Sequence, residues 1–179
     1  MFTYVINEKL ELKLLEPRHA EELFFITDES RESLRTWLPW VDHIKSKEDS
    51  LAFITSSMKQ FGENDGFQAG IWFEGRLAGV IGLHKIDWTN HSTSIGYWLA
   101  ESFTGRGLMT HSCRAVVNYC FEELGMKRVE IRAAAENSKS AAIPERLGFQ
   151  REGCLRQSER LYEVYVDHYV YGMLKEEWE

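Results

Sequence analysis

A chain of 179 residues, 44% of them hydrophobic, is sized for a single domain spanning residues 1–179 with a substantial buried core. Its formal net charge of −7 disfavours nucleic acid as a direct partner and suits a basic one. No apolar run approaches the roughly 18 residues a membrane span needs, and the N-terminus lacks a signal pattern, so a cytoplasmic protein with no membrane partner is expected.

Leu10 to Leu15 reads as a first strand, and Pro17 is placed to open a helix running to about Asp28. Trp37 and Trp40 follow in a loop, suited to core packing, a subunit contact or a binding groove. Ser46-Lys-Glu-Asp49 resembles a capping box ahead of a helix carrying Leu51, Ile54, Met58 and Phe61. Phe67 to Phe73 and Leu77 to Ile86 flank Glu74-Gly-Arg76 as a hairpin, with another strand after Thr89-Asn90. His84 and His91 flank that second turn and read as surface histidines.

The most telling stretch follows. The strand-like run Ser94-Ile-Gly-Tyr-Trp-Leu-Ala100 meets Thr104-Gly-Arg-Gly-Leu-Met109 and then a long amphipathic helix. Gly105 and Gly107 lack a Cβ, so successive backbone N–H groups can approach an anion where a helix N-terminus adds positive dipole. Arg106 would be a mobile cation beside them, and the competing reading of the two glycines is a tight turn. Met109, Cys113, Val116, Val117, Cys120, Phe121 and Leu124 recur at helical spacing until Gly125 stops the helix. There is neither a P-loop nor a complete dinucleotide fingerprint, so a different phosphorylated ligand is implied.

Cys113, Cys120 and Cys154 form no C-x-x-C pair and are expected as buried small apolar residues. His111 and Cys113, two apart on a helix, point in different directions, and no metal site is expected.

Arg128 to Ala133 is a strand, followed by a short helix before Gly148. Pro144 removes a donor within that helix, which favours a late start with Ser140, rather than Ser138, as N-cap. Phe149 to Arg156 and Tyr162 to Leu174 close the sheet, giving an α/β (α+β) fold of about seven strands and four helices. Asp167 and His168 are adjacent on a strand and face opposite sides, so they cannot share one substrate atom.

Thr104, Gly107 and Met109 stand where the GNAT superfamily of N-acetyltransferases carries its Q/R-x-x-G-x-G/A signature, with Thr and Met as departures from it. Glu136-Asn137-Ser-Lys-Ser140, Glu145-Arg-Leu-Gly-Phe149 and Arg151-Glu-Gly-Cys154 resemble its N-x-x-S, E-K-x-G-F and E-G segments. The resemblance spans Leu12 to Leu174 and is strongest to the RimJ/RimL branch, which acetylates N-termini of ribosomal proteins.

That resemblance implies a GNAT-like, mostly antiparallel sheet and acetyl-CoA as co-substrate. It implies cofactor contacts from Trp98 and Leu99 on a bulged strand, from Thr104, Gly105, Arg106, Gly107, Leu108 and Met109, and from Asn137. By the same match Ser140 would protonate the departing thiolate, and Glu159 would serve the amine, through water or by orienting it. The alternative for Glu159 is a solvated charge, and for Ser140 a helix cap. The acceptor implied is a protein N-terminus, including that of a ribosomal protein. A small amine (polyamine, amino acid or antibiotic) is the competing acceptor, and a non-catalytic acyl-CoA-binding module the competing class. An α-amine, with a reference pKa near 7.8 against about 10.4 for lysine, needs the weaker base. The wealth of aromatic residues makes a homo-oligomer the expected assembly.

Overall fold

The computed structural model describes residues 3–179. Its strands are β1 (Thr3–Val5), β2 (Leu10–Leu14), β3 (Gln68–Phe73), β4 (Arg76–Asp87), β5 (Ser92–Leu99), β6 (Arg128–Ala134), β7 (Gln150–Leu161) and β8 (Val164–Leu174). Its α-helices are α1 (Ala20–Glu29), α2 (Arg31–Arg35), α3 (Lys47–Gly62), α4 (Leu108–Glu122) and α5 (Ser138–Arg146). The strands form one sheet in the order β1-β2-β3-β4-β5-β6-β8-β7, antiparallel except where β5 meets β6. The short strand β1 and the five-residue α2 are additions to the elements expected from the sequence.

Local chemistry explains most of these boundaries. Asp49 accepts the Ser46 amide at 3.0 Å at the start of α3, closing the capping arrangement its spacing suggests. Glu74 and Gly75 both take positive φ, 51° and 78°, the pattern of a two-residue hairpin turn whose twist matches its strands. Gly125, at φ 67°, ends α4 in a left-handed turn that lets the Met126 amide reach the Cys120 carbonyl at 2.9 Å.

The core lies between the sheet and its helices. Met109, Cys113, Val116, Val117, Cys120 and Phe121 bury one face of α4 in the cluster that holds Ile71, Ile81, Ile95 and Ile131. Cys113 and Cys120 therefore pack as expected, whereas Cys154 is exposed on the edge strand β7. An edge strand has one uncovered face and one uncovered margin, which sequence alternation alone did not disclose.

Two expectations are corrected at the carboxyl end. Helix α5 begins at Ser138 with Asn137 as N-cap, so Ser140 lies in its first turn and Pro144 lies inside the helix. Asn137 Oδ1 accepts the Ser140 amide at 3.2 Å, the bond that fixes this early start. Strand β7 continues past Arg156 to Leu161 because an irregularity between Leu155 and Glu159 absorbs two extra residues without ending the ladder.

Candidate active site

The parallel pairing of β5 with β6 stops at Ile95 opposite Ile131, although β5 continues to Leu99 and β6 to Ala134. The two strands diverge there and open the sheet. Ala100 donates its amide to Ala78 at 2.8 Å, in register with Leu99 opposite Gly79. Alternation along an antiparallel ladder then directs the Trp98 backbone toward β4 and the Tyr97 and Leu99 backbones toward the opening. The ladder runs without interruption from Leu83 opposite Ile95 to Gly79 opposite Leu99, and the β4–β5 irregularity falls between Leu83 and Ile86. The bulge expected near Trp98 and Leu99 is thus absent; strand divergence makes the opening.

Into this opening runs a cavity of about 1470 Å³. Ser140, Glu159, Trp98, Leu99, Thr104, Gly105, Gly107, Leu108, Met109 and Asn137 all border it, gathering most of the sequence-derived candidates into one place. Arg106 does not border it. Its exposed guanidinium lies 5.8 Å from the ring centres of both Phe73 and Phe103 and donates to the Ser102 carbonyl at 3.3 Å.

Gly105 and Gly107 hold φ 76° and 74° ahead of α4. A Cβ on Gly105 would meet no protein atom, so the residue serves the left-handed backbone and the open space in front of it. Thr104 spends its hydroxyl on the Glu101 carbonyl at 2.8 Å, which fixes the turn. The first amides of α4 have no acceptor within the helix and form, with the dipole, a site for phosphate oxygens. Met109 is buried in the core, which removes its bulk from that site. Arg146 donates to Thr110 Oγ1 at 2.9 Å and brings a second-helix cation to the same end of the cavity.

Around Ser140 the polar network is complete except for its own hydroxyl. Pro144 has no amide hydrogen to give the Ser140 carbonyl, and the Tyr97 hydroxyl supplies one instead at 3.0 Å. Burial raises the pKa of Tyr97, so this donor keeps its proton. The Ser140 hydroxyl makes no hydrogen bond among the described residues and stands at the cavity wall.

Glu159 and His168 meet at 2.8 Å between Oε2 and Nε2, with His168 the more enclosed of the two side chains. His84, expected as a surface histidine, borders the cavity and hydrogen-bonds Ser94 at 3.1 Å. Its ring is open to the cavity but enclosed by surrounding protein, and that enclosure, with Arg132 second, lowers its pKa. A Cβ on Gly96 would strike this ring, so the glycine makes room for it. Trp37 and Trp40 border the cavity too, with Trp40 5.9 Å from Trp98, ring centre to ring centre. The sequence read His84 only as a surface histidine and His168 only as the strand neighbour of Asp167, and it offered no signal for Arg146. Among the described residues no three His, Cys, Asp or Glu side chains converge as a metal site, and no helix is long and apolar enough to cross a membrane.

The profile of the family described as "Acetyltransferase (GNAT) domain" matches residues 9–150. The chain is 38% identical to YdaF of Bacillus subtilis (strain 168), for which a ribosomal N-acetyltransferase role is itself only proposed, over all of this chain and 98% of that protein. It is 28% identical to the ribosomal-protein-serine acetyltransferase of Escherichia coli (strain K12), covering 96% of each chain. Among solved structures it superposes on RimL, a ribosomal alpha-N-protein acetyltransferase in complex with coenzyme A, with a TM-score of 0.93 at 26% identity, covering 96% of this chain and 97% of that one.

Proposed function

The chain belongs to the GNAT acetyltransferase family and is an acetyl-CoA-dependent N-acetyltransferase, and on that premise we propose that its acceptor is the N-terminal α-amine of a protein, a ribosomal protein first among them. One observation carries this choice of acceptor: among the described residues bordering the cavity, Glu159 is the only carboxylate, while His43, His111, Arg132, Lys139 and Arg146 add basic groups. A single carboxylate matches a single ammonium. A polyamine or a multiply charged antibiotic would leave further cations facing like charge, which is unfavourable in a partly desolvated cleft. The relatives named for ribosomal-protein acetylation support the same reading.

The residues divide the work as follows. The glycine turn and the first amides of α4 fit the pyrophosphate of acetyl-CoA, whose chemical contribution is an activated thioester. Asn137 keeps its side-chain amide nitrogen for the pantetheine arm while its oxygen caps α5. The Leu99 amide, turned into the opening, stabilises negative charge that develops on the acyl oxygen. Glu159 attracts and orients the ammonium, and holding amine and acyl carbon together supplies much of the rate. The Ser140 hydroxyl delivers a proton to the departing sulfur.

Free-thiol release from acetyl-CoA, followed with a panel of N-terminal peptides and small amines, tests the proposal. Turnover on peptides that falls with Ser140→Ala and with Glu159→Gln is the expected result. Preference for small polyamines would replace the acceptor assignment.

A further inference from the structure

Resting on that reading of the acceptor, we propose that His168, through Nδ1, is the group that takes the proton from the acceptor's ammonium, and that Glu159 is its orienting carboxylate rather than the base itself. The geometry begins with the β7 irregularity. Leu155 faces His168, and one-to-one pairing from there would set Glu159 opposite Val164; the ladder instead sets Glu159 opposite Val166. Two residues along β8 is about 7 Å, so the bulge moves Glu159 one full pleat toward His168 and, because the shift is two residues, keeps it on His168's face. Asp167, on the other face of β8, secures the bulge by accepting the Gln157 amide at 2.7 Å, with Gln157 at φ 50°.

The resulting contact joins Glu159 Oε2 to His168 Nε2. A carboxylate can only accept, so Nε2 carries the hydrogen, and in the neutral imidazole Nδ1 then carries the lone pair. Nδ1 makes no hydrogen bond among the described residues, and His168 borders the cavity. This is the base-and-orienter relationship of hydrolase triads, with the acceptor amine in place of a nucleophilic hydroxyl. Proton affinity favours the same assignment: the reference values of an α-ammonium and an imidazole differ by about 1.3 units, those of an α-ammonium and a carboxylate by about 3.5.

The step balances simply. An N–H bond of the ammonium breaks and its proton joins Nδ1, and the electron pair left on nitrogen attacks the acyl carbon. As the C–S bond breaks, its electron pair leaves with sulfur, which takes the Ser140 hydroxyl proton, and the second N–H proton of the acylated nitrogen returns to Ser140. The imidazolium so formed is held against Glu159. The other charged or titratable groups that border the cavity from neighbouring elements include Arg132 from β6, His84 from β4, Tyr97 from β5, Lys139 from α5 and His43 from the turn after α2. Arg132 pairs with Glu130 at 2.6 Å, a carboxylate it shares with Arg128, which tempers its opposition to the imidazolium.

The test has two arms. In the free protein, nitrogen NMR of His168 should show the neutral tautomer with hydrogen on Nε2, and the Nδ1–H tautomer should gain population in Glu159→Leu, which removes the acceptor; hydrogen on Nδ1 in the wild-type protein overturns the proposal. In turnover assays His168→Gln, whose amide can still hold Glu159, should bind acetyl-CoA as the wild type does and lose about 10²–10⁴-fold in kcat/KM near neutral pH. That loss should shrink as pH rises past the amine's own pKa, and with acceptors of lower amine pKa. A loss equal at every pH and with every acceptor assigns His168 a structural role and overturns the proposal. If the wild-type protein turns over no peptide but does acetylate a small amine, the acceptor assignment fails while both arms still decide the role of His168. If it turns over no amine at all, the tautomer measurement decides it alone.

Discussion

Tyr97 on β5 gives its hydroxyl hydrogen to the carbonyl of Ser140 at 3.0 Å, the oxygen that Pro144 leaves without a helical donor. The proline that seemed an anomaly thus creates an acceptor that ties α5, and with it Ser140, to the strand lining the cavity. Tyr97→Phe should leave that carbonyl unpaired and destabilise the protein by about 1–3 kcal/mol. Adding Pro144→Ala restores an amide hydrogen and should recover much of the loss, a non-additivity readable in a double-mutant cycle by urea unfolding. Additive effects would show that the two residues act independently.

Gly107 sits at φ 74° as the N-cap of α4. Gly107→Ala should cost about 1–2 kcal/mol for forcing a Cβ into the left-handed region. If the turn holds the pyrophosphate as proposed, it does so in ground and transition states alike, and KM for acetyl-CoA should rise at least several-fold with kcat much less affected. Calorimetric titration with coenzyme A checks the binding, and unchanged affinity would assign the turn a purely structural role.

The three thiols should behave unequally. Burial pushes the Cys120 thiol up to about 12 and raises Cys113 further still, while Cys154 is exposed. A disulfide reagent at pH 8 should therefore modify one cysteine per native chain, Cys154, and reach the other two only on unfolding. Peptide mapping of the modified protein identifies the site.

Stability should depend on pH through His84. The protein enclosing it, and then Arg132, lower its pKa, so below the ordinary imidazole value of about 6.5 the unfolded chain binds more protons than the folded one. Stability then rises with pH across that window and is lost as pH falls through it. His84→Gln should flatten the dependence of the urea midpoint between about pH 5 and 7. An unaltered slope would shift the effect to His19, whose pKa burial also lowers.

Much of this site is written in short stretches of sequence. Gly105 and Gly107 followed by the apolar periodicity of Met109 to Phe121 specify a left-handed turn and a helix, because glycine's freedom and a 3.6-residue repeat act within a few residues of themselves. Asn137 and Ser140 are likewise a local unit, a cap and the amide it receives, although only the Tyr97 hydroxyl across the cavity supplies the donor that lets a helix starting this early contain Pro144. Trp98 and Leu99 could be placed on a strand, but not which amide faces the opening, since that follows from the register with Gly79 and Val80.

What only the tertiary structure decided is non-local. The end of β5–β6 pairing at Ile95 and Ile131 opens the cavity, and no residue at that point announces it. Glu159 and His168 are nine residues apart across a turn, and their contact depends on two extra residues in β7 that periodicity of two cannot distinguish from a loop. Arg106 stands between two glycines in the sequence, and only the fold brings the ring of Phe73 beside it. Sequence pattern encodes backbone preference and burial over a turn or two; side-chain partners are chosen by register, bulges and packing, which are settled only when distant segments meet.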